Sequence, residues 1–176
     1  MNAVMTEKMV AGVVETPLGW AGVALTKKGI RHATLFHRSK AACEGELRSV
    51  GAVFEPRAEL DRALALLAGY ASGEGTSLDE FPVDLPPCTD FHRETWLALR
   101  EIPRGETRSY GWLARHVGHA DSPRAIGAAM GANPIPLWLP CHRVIGSHGG
   151  LHGFGGGLEM KRQLLELEGA LPKRLV

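Results

Sequence analysis

Residues 133–146, NPIPLWLPCHRVIG, place three prolines around a run of bulky apolar side chains and end that run on Cys141, next to His142 and just before Arg143. The chain has only three cysteines in 176 residues, so a thiol at this place asks for a reason. A cysteine is a strong nucleophile only as the thiolate, and a neighbouring base or cation lowers its pKa, so His142 and Arg143 are candidate activators. Adjacency alone decides little, because neighbours on a strand point to opposite faces. Pro140 stiffens the approach, and the run from Ile135 to Leu139 reads as a buried segment that holds Cys141 on a rigid base.

Working outward, 44% hydrophobic residues and a net charge of +1 describe an ordinary globular chain, long enough for one large or two small domains. No stretch approaches the roughly 18 apolar residues of a membrane span, and the N-terminus lacks a basic region followed by a long apolar run, so a cytoplasmic protein is expected. Cys43, Cys88 and Cys141 are odd in number and far apart, which argues against a disulfide framework. Charge is uneven: 11 Lys/Arg against 8 Asp/Glu from Pro86 onward gives +3, leaving 9 against 11, or −2, before it.

Upstream, MVAGVVETPLGWAGVALTKKGIRHATLF alternates short apolar runs with the turn signals TPLG and TKKG, which predicts two or three antiparallel strands. SKAACEGELRSVG and PRAELDRALALLAGYASGE follow as two helices, the second with Leu60, Leu64 and Leu67 at helical spacing. The three prolines of FPVDLPPCTD read as a linker. An α+β chain is expected, with a small α/β domain and linker over residues 1–87, its sheet mostly antiparallel, and a mainly helical domain over residues 88–176.

The helical half begins at DFHRETWLALREIPRG, where Asp90 can cap a helix burying Phe91, Trp96, Leu97 and Leu99. SYGWLARHVG is a helix capped by Ser109 and stopped by Gly118. After the short turn HADS, Ser122 caps SPRAIGAAMGAN, with Pro123 at the first helical position and Arg124 projecting from the first turn. This is the outline of a helix-turn-helix. Ala125, Gly127, Ala128, Ala129 and Gly131 are all small, although an interior glycine costs about 1 kcal/mol relative to alanine. Either the helix packs tightly on another, or it enters a narrow groove of DNA.

NPIPLWLPCHRVIG resembles the active-site signature of the O6-alkylguanine-DNA alkyltransferases (methylated-DNA–protein-cysteine methyltransferases), whose core is Pro-Cys-His-Arg-Val. GETRSYGWLA, SPRAIGAAMGANP, GGLHGFGGGLEMKRQLLELEG and ETPLGWAGVAL match the family in order and spacing, over nearly the whole chain. The resemblance implies a ribonuclease H-like first domain and a second one carrying a helix-turn-helix. It implies that Cys141 takes the alkyl group of O6-methylguanine, and less well of O4-methylthymine, as a thioether, once and without a cofactor. His142 would act through a water as base for the thiol, oriented by Glu168. Asn133 would brace the active-site turn, and Tyr110 would donate to the departing purine.

The same resemblance implies extrusion of the base from the duplex. Arg124 would fill the vacated place, and Ser122, Ala125, Ala129 and Gly131 would lie along the minor groove of double-stranded DNA, without strong sequence preference. The pocket would be formed by Tyr110, Pro140, Val144, Phe154 and Gly155. A monomer is expected. HGGLHGFGGG lacks the Gly-Lys-Ser/Thr ending of a phosphate loop. No ligand pair has zinc spacing, so no metal is expected. Cys43 reads as a small packed residue, and Cys88 has no evident role.

Two other readings stand beside this one. A non-catalytic module that recognises alkylated bases would carry another residue in place of the acceptor thiol, and Cys141 argues against it. A cysteine hydrolase would have no use for Arg124 and the helix-turn-helix.

Overall fold

The structure, a computed structural model, describes residues 7–175. Residues 1–6, where the reading for a targeting segment begins, lie outside the described part. The chain folds as two compact units, Met1–Asp84 and Leu85–Val176, in a mixed α/β arrangement. Asp84 belongs to the first unit, three residues before the expected boundary at 87, because Arg31 and Thr26 bind its carboxylate at 2.5 and 2.6 Å.

The first unit holds a four-stranded sheet in the order β3-β2-β1-β4, from β1 (Val10–Thr16), β2 (Gly19–Leu25), β3 (Ile30–Ala33) and β4 (Val53–Phe54). All pairs are antiparallel except β1 with β4. Helices α1 (Lys40–Ser49) and α2 (Ala58–Ala71) cover the sheet. The register explains how. Ala11 pairs with Ala24 and Val13 with Gly22, and this face carries Leu47 of α1. The alternate face, with Gly12 opposite Val23, meets Leu60 and Leu64 of α2. Opposed residues share a face and neighbours alternate, so the sheet is a middle layer. A strand buried on both faces has no polar side to show, which is why the end of β2 is continuously apolar.

Lys27 and Lys28 sit in a turn that Gly29 makes possible. Gly29 has φ +149, and a side-chain carbon there would lie 2.3 Å from the Pro82 carbonyl oxygen.

In the second unit α3 (Asp90–Leu99) is followed by β5 (Arg108–Ser109), α4 (Tyr110–His116), α5 (Pro123–Gly131), a single 3-10 turn over Cys141–Arg143, β6 (Val144–Ile145) and α6 (Leu158–Glu168). The cap of α3 is Thr89, whose hydroxyl accepts from the His92 N–H, and not Asp90, which is the first helical residue. Leu97 is exposed, because it lies off the face defined by Trp96 and Leu99. Ser109 caps α4 as expected, and Gly118 follows the helix in the left-handed region. Ser122 occupies the cap position of α5 without a side-chain hydrogen bond. No described helix is long and apolar enough to cross a membrane.

Gly29→Ala should lower the melting temperature by the equivalent of more than about 1 kcal/mol, since both the backbone conformation and the Pro82 carbonyl oppose a side chain. A thermal melt within error of the parent would show that the turn relaxes freely.

Candidate active site

Two local devices aim the site. β5 pairs in parallel with β6, Arg108 opposite Val144 and Ser109 opposite Ile145. Tyr110 directly follows β5 and Cys141–Arg143 directly precede β6, so this ladder sets the start of α4 beside the cysteine turn. The second device is Asn133. Its amide donates to the Leu139 carbonyl at 2.7 Å, and its carbonyl accepts from the Ile135 N–H at 3.0 Å. Inside that brace Leu137 has φ +74, the only positive value at a described non-glycine residue. Such a conformation costs about 1–2 kcal/mol and persists where the surroundings dictate it. Leu137, Trp138 and Leu139 are buried, so the segment is a rigid base for the thiol.

Cys141 is partly buried in the wall of a cavity of about 550 Å³. Tyr110, Arg124, Gly127, Met130, His152, Phe154 and Gly155 also line it. Burial pushes the Cys141 thiol up, against the lowering effect of the Asn133 side chain, the Lys161 charge and the backbone N–H groups of Cys141 and His142. Burial also raises the Tyr110 phenol, which therefore stays a hydrogen-bond donor.

Behind the thiol lies a buried cluster of ionisable groups. His142 Nε2 is 2.8 Å from Glu168 Oε1, and both side chains are almost wholly enclosed. Arg143 grips the same carboxylate through Nε and Nη2, both at 2.9 Å, and gives Nη1 to the Ile102 carbonyl at 2.7 Å. The Glu168 carboxyl is buried, yet His142 and Arg143 hold it far below the usual carboxylate range. Burial pushes His142 down, so its imidazole is neutral. An ionised Glu168 against Nε2 fixes the proton on Nε2 and leaves the lone pair on Nδ1, the form needed in a base.

Arg143, expected as an activator of Cys141, turns instead to Glu168, because a buried guanidinium needs a carboxylate partner. The cation that acts on the thiol is Lys161. It is fully buried, donates to the Val144 and His152 carbonyls at 2.7 and 2.8 Å, and lies over the Tyr110 ring at 5.7 Å. Desolvation pushes it down to about 8. Lys161 escaped the sequence reading, although it stands three, four and seven residues before Leu164, Leu165 and Glu168, on the buried face of α6. His152, whose ring meets Tyr110 edge-on at 6.1 Å, was also missed.

Two expected pocket residues do not line the cavity. Pro140 opens the 3-10 turn and is buried, and Val144 carries the chain from that turn into the core at 0% exposure. Ala129 is also corrected: it is buried beside Ile126 and Met130, and its carbonyl accepts from Trp96 Nε1 at 2.8 Å. It cannot face a groove. Arg124, Ala125 and Gly131 are exposed on α5, and Ser122 is half-buried. A side-chain carbon at Gly127 or Gly131 would meet nothing within 4 Å among the described residues. Close helix packing therefore does not explain these glycines. No cluster of three His, Cys, Asp or Glu among the described residues is placed to hold a metal ion.

Known proteins resemble this chain in sequence and in fold. The family described as 6-O-methylguanine DNA methyltransferase, DNA binding domain, matches residues 90–170. A methylated-DNA–protein-cysteine methyltransferase of Methanosarcina acetivorans is 36% identical over 163 residues, covering 92% of this chain and 99% of its own. One of Mycobacterium tuberculosis is 51% identical over 107 residues, 60% of this chain and 63% of its own. The crystal structure of Mycobacterium tuberculosis OGT in complex with DNA superposes with a TM-score of 0.77 at 37% identity, covering 92% of this chain and 93% of that one. Likeness over almost the full length, with Cys141 backed by a buried His142 and Glu168, places this chain in the methylated-DNA–protein-cysteine methyltransferase family.

Proposed function

We propose that the protein repairs DNA by moving the alkyl group of O6-methylguanine, and less efficiently of O4-methylthymine, onto Cys141 in a single irreversible event. The observation that carries this reading is the buried Glu168–His142 pair set behind a thiol that opens into a cavity. His142 Nδ1 takes the thiol proton through a water, and Glu168 stabilises the imidazolium. Sulfur then forms a bond to the alkyl carbon as the carbon–oxygen bond breaks. Tyr110 gives its proton to the purine as it leaves, and the proton that His142 took from the thiol returns to the tyrosine oxygen, so the net change is one thioether and one restored guanine. The product thioether offers no carbonyl to water, so one molecule performs one transfer. No cofactor enters this scheme.

The lesion reaches Cys141 only outside the stack, at a cost of a few kcal/mol for extrusion. Arg124, exposed at the first turn of α5 and on the cavity edge, fills the gap. α4 and α5 act as a helix-turn-helix, and the open surface at Ala125, Gly127 and Gly131 lets α5 approach the minor groove of double-stranded DNA. Contacts of this kind go to backbone and shape, so binding depends little on sequence and suits a monomer. Phe154 and Gly155 stand against the purine. A module that only recognises alkylated bases would need no ionised carboxylate locked to a neutral imidazole behind the thiol.

Mass analysis after incubation with a duplex carrying one O6-methylguanine should find a single methyl on the peptide containing Cys141, with guanine restored in equal amount and none in Cys141→Ala. Tight binding without mass gain would leave a recognition module. The transfer rate should stay level as pH falls through about 6.5, the ordinary imidazole value, and decline only below it, since burial keeps His142 neutral to lower pH. A midpoint at or above that value would remove the shielded base. Glu168→Gln should slow transfer and cost about 3–5 kcal/mol of stability, because Arg143 is left as an unpaired buried charge. Unchanged melting would contradict that buried pairing. Tyr110→Phe should slow transfer at unchanged DNA affinity, and a parallel loss of affinity would make Tyr110 a binding group instead.

A further inference from the structure

The first unit has a second recess, of about 200 Å³, that the chemistry at Cys141 does not use. Leu25, Thr26 and Phe81, all buried, form its floor. Its rim carries Lys27 and Lys28 from the β2–β3 turn and Arg57 and Arg62 from α2 and its start, with Glu59 as the one carboxylate. Glu59 is 3.2 Å from Arg57 Nε. Among the described residues Lys27, Lys28 and Arg62 enter no ion pair, Arg62 lying instead over the Phe81 ring at 5.8 Å. Lys28 stands within the field of Asp84, but Arg31 and Thr26 already bind that carboxylate.

The lysine turn is a built structure rather than a loose loop. The Thr26 N–H donates to the Gly29 carbonyl at 2.9 Å, the Lys28 N–H to Thr26 Oγ1 at 3.1 Å, and Thr26 Oγ1 to Asp84 at 2.6 Å. The Ile30 N–H donates to the Pro82 carbonyl, and the Asp84 N–H to the Ile30 carbonyl. The backbone of two consecutive lysines is thus held at the same recess as two arginines, and the like charges repel one another until an anion enters.

We propose that this recess is an anion site that takes a phosphate group. Three uncompensated cations favour a doubly charged anion over a carboxylate, and Arg62 offers the fork geometry that phosphate oxygens accept. The volume is below the roughly 300–1,000 Å³ of sites for drug-sized ligands, so it suits the phosphate itself rather than a large organic body. The phosphate comes either free, as inorganic phosphate or a small phosphomonoester, or on a nucleic-acid backbone.

The test is an amide-resolved NMR titration of the full chain with inorganic phosphate, matched in ionic strength by sodium chloride so that screening is constant. Saturable shifts are expected at residues 26–29 and 57–62, with affinity reduced about tenfold or more in the Lys28→Gln, Arg62→Gln double variant, whose folding the same spectra report. Equal shifts with chloride, shifts spread over every surface cation, or an unchanged affinity in the double variant would each overturn the site. A short undamaged duplex then separates the sources. Shifts at the same amides that phosphate competes away identify a backbone phosphate, and saturation by phosphate alone identifies a free one; both support the site.

Discussion

One carboxylate organises the second unit. Glu168 closes α6 and meets a histidine and an arginine that are neighbours in the 3-10 turn after Cys141. Burying any one of these groups alone would cost several kcal/mol, so each requires the others. The consequence is positional. Neither α6 nor the cysteine turn can shift without exposing an unpaired charge, and the thiol inherits that rigidity. Arg143 carries the constraint further, because its remaining donor holds the Ile102 carbonyl beyond the end of α3.

The same burial sets the protonation states. A thiol raised by desolvation rests as Cys–SH and is shielded from reacting with whatever enters the cavity. A neutral imidazole is a competent base, and the fixed charge of Glu168 is worth most when that imidazole becomes cationic. In the proposed transfer the stabilisation therefore arrives with the charge that develops on His142, and the ground state holds no free thiolate to be consumed.

Much of this was legible in residue order. The hairpin of β1 and β2 follows from apolar runs around TPLG, and α2 from leucines at helical spacing. The two-residue β4 was not legible, since its pairing with β1 is long-range and the segment is too short to show a period. Helix phase misled at Leu97 and Ala129, where apolar or small character did not tell which face turns inward. At the site, Cys141 and His142 stand out by proximity, while His142 and Glu168, 26 positions apart, meet only through the tertiary fold. Arg143 looked like a partner for the thiol because it is near in sequence, but the 3-10 turn sends its side chain to Glu168.

Lys161 connects these threads. Its ammonium is held by the Val144 carbonyl, one residue past the cysteine turn, and by the His152 carbonyl in the glycine-rich loop. A buried ammonium is costly, and two carbonyls with the face of Tyr110 replace the water it has lost. The loop bearing Phe154 and Gly155 is therefore pinned to the turn bearing Cys141 by a single cation. With its pKa lowered to about 8, that cation is still mostly charged at neutral pH but loses its proton only a little above it. A negative charge on the nearby thiol stabilises it, so the hydrogen bonds that shape the pocket and the thiolate that the proposed transfer requires reinforce one another.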